Sequence, residues 1–408
     1  MQRLHSVLVA ATVFAAGILV LGTHQAAAQQ VFVNGESSRL LSADLVFPLE
    51  LDIDATGNVY VASGFYPSAV DIFRYTVDGR VETFTNPIDD PDSLAVDAAG
   101  YVYVGSYGGR ITRIDPVTGG QETWLLDGAI GNIDGMHFAP SGDLLVVSID
   151  RGAVYRIAVP SRQVTVFADL SSLGVTGMTG VTVHPATGHF YVGSPWQNVI
   201  VELDESGAII DPSVASGFQF LGHLAFDLSG LRPLDLWAAD NGSAAVYRID
   251  LATRQVTQVV RYIDPHVGGL VFGHDGGLFY DRTSNDDSVG ELHWLAPMSI
   301  TFVGTRLPGA TLDTTLKSPA DRYRPFLLLL GGGATGYTFA DGRHFPLDRP
   351  LSLLLASSLD DKGEFSFGLP LPGDPGLSGA TFYLAFITRD RATWGPVGIS
   401  EAAVLEIQ

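Results

Sequence analysis

Residues 51–63 read LDIDATGNVYVAS, and five later stretches repeat their plan of an alternating strand, a glycine turn and a second, largely apolar strand. The later copies are LAVDAAGYVYVGS (94–106), MHFAPSGDLLVVS (136–148), VTVHPATGHFYVGS (181–194), LAFDLSGLRPLDLWAAD (224–240) and LVFGHDGGLFYDR (270–282). Successive copies are 42 to 46 residues apart, as measured between their turn glycines: Gly57, Gly100, Gly142, Gly188, Gly230 and Gly276. This period is typical of a β-propeller with four strands per blade.

A further strand follows each copy, and in four copies it carries an Arg between apolar residues: Arg74, Arg113, Arg156 and Arg248. We interpret this repeated Arg as a residue that pairs within its own blade. A single sheet of this kind cannot bury both faces, so the six repeats must pack face to face around an axis. The sixth repeat lacks an outer strand, and we expect the segment around Val31-Phe32-Val33 to supply it.

The two ends of the chain differ from the repeats. Residues 1–28 combine Arg3, an apolar run and the ending Ala26-Ala27-Ala28, which predicts a signal peptide and a secreted or periplasmic protein. We predict the propeller over residues 29–297 and a β-sandwich over 298–408, where short apolar runs alternate with Gly- and Pro-rich turns. The fold class is therefore all-β, a six-bladed β-propeller followed by a small β-sandwich. The sequence has no second long apolar segment, so we predict no membrane span after signal cleavage.

The charge and the cysteine count exclude several function classes. The chain carries 23 Lys and Arg, 44 Asp and Glu and no Cys, for a net charge of -21. A surface this acidic repels nucleic acid, so the expected partner is a protein, a glycan or a small-molecule ligand. The lack of Cys excludes disulfides, a thiolate zinc site and a Cys nucleophile.

Several local motifs favour structural interpretations. The stretch 331–336 (GGGATG) fits a dinucleotide-loop pattern, but the strand-like residues after it predict a hairpin. Asp52 and Asp54 begin a sequence like a calcium loop, yet position 12 is Ser63, so we interpret Asp54 as a turn residue. His137 and His184 lie in inner strands, and we expect both to be satisfied core histidines.

The positions where the repeats differ carry the functional signal. The entrances to the inner strands face one channel, and they bring together Glu50, Asp92, Asp134 and His223, with His266 close in sequence. Carboxylates and imidazoles are ligands for divalent cations, so these five residues are candidate metal ligands for Ca²⁺ or another divalent cation. A cation there would polarise a carbonyl or a bound water.

The repeats resemble the NHL-repeat and SMP-30/gluconolactonase-like six-bladed propellers, whose units read apolar-Asp-x-x-Gly-x-aromatic-Val-Ala-Asp. The resemblance covers about residues 45 to 296. It implies a channel metal held by carboxylate and Asn ligands, with Glu50 and Asp134 matching acidic positions of the family. Residues 365–390 resemble a C-terminal module of exported bacterial proteins.

Two functions stay open on the sequence. One is a non-catalytic binding protein that uses its loop face or its channel, with the variant that the propeller only displays the sandwich. The other is a metal-dependent, lactonase-like hydrolase. Fold alone does not choose between them.

Overall fold

A computed structural model describes residues 31–32, 36–45, 47–63, 69–125, 130–230, 234–262, 266–283, 290–338, 344–392 and 396–408. Their regular structure is β-strand apart from two short 3₁₀ turns, Ser171–Leu173 and Pro375–Leu377, which confirms the all-β prediction. The signal segment 1–28 lies outside the described residues. In the described part of the chain, no helix has the length and apolar character needed to cross a membrane.

The chain divides into two compact units, one of Leu40–Trp294 and the other of Leu295–Gln408 with the residues up to Arg39. The domain limits 29–297 and 298–408 remain a prediction.

Successive antiparallel sheets make up the first unit. The strands of residues 31–89, of which β1 and the start of β2 precede this unit, are β1 (Val31–Phe32), β2 (Glu36–Leu45), β3 (Pro48–Ile53), β4 (Val59–Ser63), β5 (Ala69–Val70), β6 (Phe73–Tyr75), β7 (Val81–Thr83) and β8 (Ile88–Asp89). The second and third sheets contain β9 (Pro91–Val96), β10 (Val102–Ser106), β11 (Arg110–Ile114), β12 (Gln121–Leu125), β13 (Ile133–Phe138), β14 (Leu144–Ser148), β15 (Ala153–Ala158) and β16 (Gln163–Asp169). The remaining strands are β17 (Gly180–Val183), β18 (Phe190–Ser194), β19 (Val199–Leu203), β20 (Ile209–Ser216), β21 (Leu221–Phe226), β22 (Leu236–Asp240), β23 (Ala245–Ile249), β24 (Val256–Arg261), β25 (Leu270–Phe272), β26 (Leu278–Thr283) and β27 (Gly290–Pro297).

Six of these sheets each contain an inner strand and three further strands that follow it outwards. Their orders are β3-β4-β6-β7, β9 to β12, β13 to β16, β17 to β20, β21 to β24, and β25-β26-β27-β2, while β5 pairs with β8. The sixth sheet therefore takes its outer strand from the N-terminal side, as expected, but from Glu36–Leu45. The prediction for Val31-Phe32-Val33 was wrong in position, since β1 does not belong to that sheet. Val33 lies outside the described residues.

The innermost strands close a ring. Contacts run from β3 to β9, β13, β17, β21 and β25, and β25 contacts β3 again. Apolar side chains of adjacent sheets fill the space between them: Tyr60 and Ala62 pack with Leu94 and Val104 in one such cluster. Because each sheet buries both faces in this way, burial stabilises the ring at about 1.5 to 3 kcal/mol per large apolar side chain.

The turn Asp has the structural role that the sequence predicts. Asp54 Oδ1 accepts hydrogen bonds from the backbone N–H groups of Thr56 (2.8 Å) and Asn58 (3.0 Å), and Gly57 has a φ of 93°. Such a φ strains any residue with a side chain, which explains the glycine in every copy.

The repeated Arg residues pair inside their own sheets. Arg74 donates from Nε to Glu82 at 2.9 Å, Arg113 lies 3.6 Å from the Tyr101 ring centre, and Arg156 lies 4.3 Å from that of Phe167. Arg248 lies 3.6 Å from an Asp235 oxygen. The repeated Arg therefore serves the sheet and not a shared anion site.

The second unit contains two larger antiparallel sheets. Its strands are β28 (Ser299–Val303), β29 (Thr311–Lys317), β30 (Pro325–Gly331), β31 (Tyr337–Thr338), β32 (His344–Phe345), β33 (Ser352–Ser358), β34 (Glu364–Pro370), β35 (Thr381–Arg389), β36 (Pro396–Ile399) and β37 (Ala403–Glu406). One sheet is β28-β29-β34, and the other is β33-β30-β35-β36 with β37 beside β35. Leu312 and Leu316 of the first sheet share a buried cluster with Phe326 and Phe386 of the second, which is the layout of a β-sandwich.

The glycine run 331–336 connects strands of this unit. It begins at the end of β30 and leads into β31, and the Gly336 N–H donates to Asp348 Oδ1 at 2.8 Å. No helix follows the run within the described residues, as expected, but the hairpin prediction was wrong: β30 pairs with β33 and β35, whereas β31 pairs with β32.

Candidate functional site

An acidic cluster lies where the inner strands begin. Glu50 is on β3, Asp92 on β9, Asp134 on β13 and His223 on β21, so four different sheets contribute. The repeat places Glu50 and His223 four residues before the turn position, and Asp92 and Asp134 one residue earlier in their own copies. We call Glu50, Asp92, Asp134, His223 and the additional Asp281 the mouth cluster.

Glu50 and His223 form the best-defined contact of the mouth cluster. Glu50 Oε1 lies 2.6 Å from His223 Nδ1, and the two side chains are 8% and 10% exposed. Glu50 Oε2 is buried without a hydrogen-bond partner. Burial and then the Asp52 charge raise the pKa of Glu50 well above its ordinary value, whereas burial lowers the pKa of His223.

Asp134 is the electrostatic centre of the mouth cluster. Burial raises the pKa of Asp134 to about 8, and the charges of Asp92 and Glu50 add to the rise while His223 opposes it. Burial, with a contribution from Asp90, raises the pKa of Asp92 to about 7. No Lys or Arg in the described part of the chain forms an ion pair with Glu50, Asp92 or Asp134. These carboxyls, of which Glu50 is buried and Asp92 and Asp134 are half-buried, therefore lie together without a cationic side chain.

Asp281 is a member of the mouth cluster that the inner-strand pattern does not reveal. It lies on β26, the second strand of its sheet, and its two carboxylate oxygens accept from the N–H groups of Gly268 (3.0 Å) and Gly269 (2.9 Å). Burial raises the pKa of Asp281 to about 7. The available signal was an Asp where other copies place Ala or Gly, as at Ala62 and Gly105, both opposite equivalent inner-strand residues.

His266 belongs to a different contact. Its Nδ1 lies 2.5 Å from Asn241 Oδ1, and its ring centre is 6.4 Å from that of Phe47. The electrostatic interactions that shift the pKa values of Asp134 and His223 involve Asp and Glu neighbours or each other, and not His266. The structure thus brings together four of the five candidate residues and holds His266 at Asn241.

The types of ligand atom in the mouth cluster suit a divalent cation, but the arrangement of those atoms does not. Carboxylate oxygens and one imidazole suit such an ion, and Glu50 Oε2 is free to accept. However, Glu50 Oε1 and His223 Nδ1 contact each other, and no three His, Asp or Glu side chains among the described residues are arranged to hold a metal ion. A metal would therefore require the side chains of the mouth cluster to move.

The two inner-strand histidines differ in environment. His184 Nδ1 accepts from the N–H groups of Ala186 (3.2 Å) and Thr187 (3.1 Å), so His184 acts in its turn as Asp54 does in the first sheet. His137 is half-buried and lines the central channel, and no hydrogen-bond partner is found for it within the described residues. The prediction of a histidine with satisfied hydrogen bonds is therefore confirmed for His184 and wrong for His137.

The channel contains a cavity of about 290 Å³. Glu50 lies at one end of its lining, and residues of the turns after the inner strands, including Ala55 and Ala98, lie at the other. The mouth cluster and the cavity thus share Glu50.

Solved structures with a similar fold are β-propellers. A putative gluconolactonase has a TM-score of 0.51 and 15% identity over 65% of this chain and 94% of its own. A gluconolactonase from Xanthomonas campestris has a TM-score of 0.51 and 15% identity, over 66% and 99%. The PQQ domain of a pyranose dehydrogenase from Coprinopsis cinerea has a TM-score of 0.51 and 11% identity, over 67% and 98%.

These comparisons define the class of protein. At such identities the likeness shows the fold alone. The chain is therefore a β-propeller, and the activities of these neighbours are not assigned to it. No family model matches the sequence, and no curated protein matches it.

Proposed function

We propose that the protein is an exported binding protein, a six-bladed propeller of the SMP-30/gluconolactonase-like type, that takes up a positively charged group in the mouth cluster. The observation that carries the proposal is Glu50 Oε2, a buried acceptor without a partner among carboxyls from other sheets. Buried carboxylates without a counter-charge are costly, and either protons or a bound cation relieve that cost. A cation that enters the mouth cluster would replace those protons.

The net charge supports the same ligand class. A chain with a net charge of -21 favours the approach of cations over that of anions. The neutral state of His223, which burial favours, leaves its imidazole able to accept or to coordinate.

The first experiment is elemental analysis of the mature protein, followed by thermal unfolding with EDTA, with Ca²⁺ and with methylammonium. We expect at least one cation to raise the unfolding temperature of the wild type and to raise it less in Asp134→Asn. Glu205→Gln is the matched control, because Glu205 is exposed in a turn and its replacement removes the same charge. No shift with any cation, and no bound metal, would refute the proposal.

A metal-dependent, lactonase-like hydrolase is the second candidate. The convergence of carboxyls and an imidazole from separate sheets favours it, and Glu50, Asp134 and His223 would hold the metal. The ion would supply a Lewis acid next to the channel, while the chain's own residues orient the ligand and exclude water. Hydrolysis of simple lactones that requires a divalent ion and is lost in Glu50→Gln would select this candidate over binding alone.

A further inference from the structure

The channel cavity has its own chemistry, apart from the mouth cluster. It runs from Glu50 towards exposed residues of the turns that follow the inner strands, among them Ala55, Ala98 and Leu228. Leu228 is 71% exposed. These turns form the rim through which a small molecule can enter.

The wall of the cavity is largely apolar and partly aromatic. Its lining residues include Met136, Phe138, Leu224, Phe226, Leu270 and Phe272, several of which also belong to the apolar clusters between the sheets. An apolar cavity of roughly 150 Å³ is enough to bind benzene. The volume here, about 290 Å³, is nearly twice as large and admits one ring or two fused rings.

Away from Glu50, a polar group in this wall is available to a ligand. His137, on β13, lines the cavity, and within the described residues its imidazole has no hydrogen-bond partner. Its counterparts two positions before the turn in other sheets include Ala225 and Val271, which also line the cavity and have smaller side chains. Burial lowers the pKa of His137 to about 4, so the imidazole is neutral at physiological pH and one nitrogen accepts a hydrogen bond.

Apart from Glu50, which the cavity shares with the mouth cluster, the other ionisable groups of the wall are already engaged. Asp52 accepts from the N–H groups of Ile53 (2.8 Å) and Val96 (2.6 Å), and His274 Nε2 lies 3.0 Å from the Asp54 carbonyl oxygen. The described lining contains acidic side chains but no Lys or Arg, so an anionic ligand would meet repulsion without a compensating charge.

We propose that this cavity is a second binding site, for an uncharged molecule of one or two aromatic rings whose hydroxyl group donates a hydrogen bond to His137. The rings pack against the Phe and Leu side chains, and the hydroxyl selects the orientation. This site does not depend on cation binding at the mouth cluster.

Calorimetric titration of the mature protein with three probes tests the proposal: 2-naphthol, 2-methoxynaphthalene and 2-naphthoate. The first can donate to His137, the second has similar rings without a donor, and the third carries a negative charge. We expect 2-naphthol to bind about fivefold more tightly than 2-methoxynaphthalene, because one neutral hydrogen bond changes the dissociation constant by about that factor. We expect 2-naphthoate not to bind.

Variants locate the site. His137→Phe keeps an aromatic ring but removes the acceptor, so 2-naphthol should weaken about fivefold and 2-methoxynaphthalene should not change. Val271→Phe fills the cavity from β25, and binding of both neutral probes should be lost. Ala225→Leu, which fills it from β21, repeats the test if Val271→Phe does not fold. Asp134→Asn, in the mouth cluster, should bind 2-naphthol as the wild type does.

Three results would overturn the proposal. They are equal affinity of the wild type for 2-naphthol and 2-methoxynaphthalene, 2-naphthol binding unaffected by both cavity-filling variants, and no binding of 2-naphthol up to its solubility limit. None of them bears on the cation site, which has its own probes.

Discussion

Replacing Asp134 by Asn should stabilise the propeller at neutral pH. Burial raises the pKa of Asp134 from 3.8 to about 8 in the folded protein, whereas the unfolded carboxyl ionises at its ordinary value. The folded state therefore retains a proton that the unfolded state releases. Stability is full below the unfolded pKa and is lost as the pH rises towards the folded pKa.

The size of the effect follows from the two pKa values. Each pH unit between them removes about 1.4 kcal/mol of unfolding free energy, so the loss at pH 7 is about 4 kcal/mol and at pH 5 about 2 kcal/mol. Asn cannot ionise, and no hydrogen bond to the Asp134 side chain is found within the described residues. The variant should therefore recover most of the loss and show a flatter dependence on pH.

Urea unfolding followed by Trp fluorescence measures these free energies over a pH series, in metal-free buffer with EDTA. The Glu205→Gln control should leave the wild-type curve unchanged, because Glu205 is an exposed turn residue. If Asp134→Asn is no more stable than the wild type at neutral pH, and its pH dependence is as steep, then ionisation of Asp134 does not destabilise the folded protein.

Glu291→Gln should show the opposite dependence. The hydrogen bond from His293 holds the pKa of Glu291 at about 2, so the variant should lose about 3 kcal/mol at neutral pH and almost nothing near pH 2 in the same urea assay; a constant loss would contradict this. Asp54→Ala removes the turn hydrogen bonds and should cost about 2 kcal/mol, whereas an unchanged midpoint of urea unfolding would deny their role. Gly135→Ala places a methyl group against the Thr179 carbonyl of the neighbouring inner strand and should lower the unfolding temperature by several degrees, with tolerance of Ala counting against that packing.

The repeat made most of the propeller predictable. The spacing of the turn glycines gives the length of each unit, and the alternating strands give its four-stranded form. The outer strand of the sixth sheet was harder to place, because Val31-Phe32-Val33 and Glu36–Leu45 both carry strand-like residues and register depends on packing against β27.

The site residues on inner strands of the repeat were predictable, whereas the site residue on a second strand was not. Glu50, Asp92, Asp134 and His223 occupy two neighbouring positions near the starts of inner strands, so their convergence follows from the ring of inner strands. Asp281 reaches the same place from a second strand, and only the replacement of a small residue marked it.

The environments of His266 and His137 could not be predicted from their places in the sequence. His266 is close to the inner strand in sequence, but its hydrogen bond to Asn241 directs it elsewhere. His137 has the sequence setting of a core histidine, and only the cavity in front of it shows that its imidazole is available.

Calorimetric titration of Ca²⁺ and of methylammonium into metal-free protein at neutral pH tests the cation site most directly. Saturable binding of at least one of these cations by the wild type and by Glu205→Gln, lost in both Glu50→Gln and Asp134→Asn, is the predicted result. Saturable binding that persists in both mouth-cluster variants, or no binding by the wild type, would contradict a cation site at the entrance to the channel.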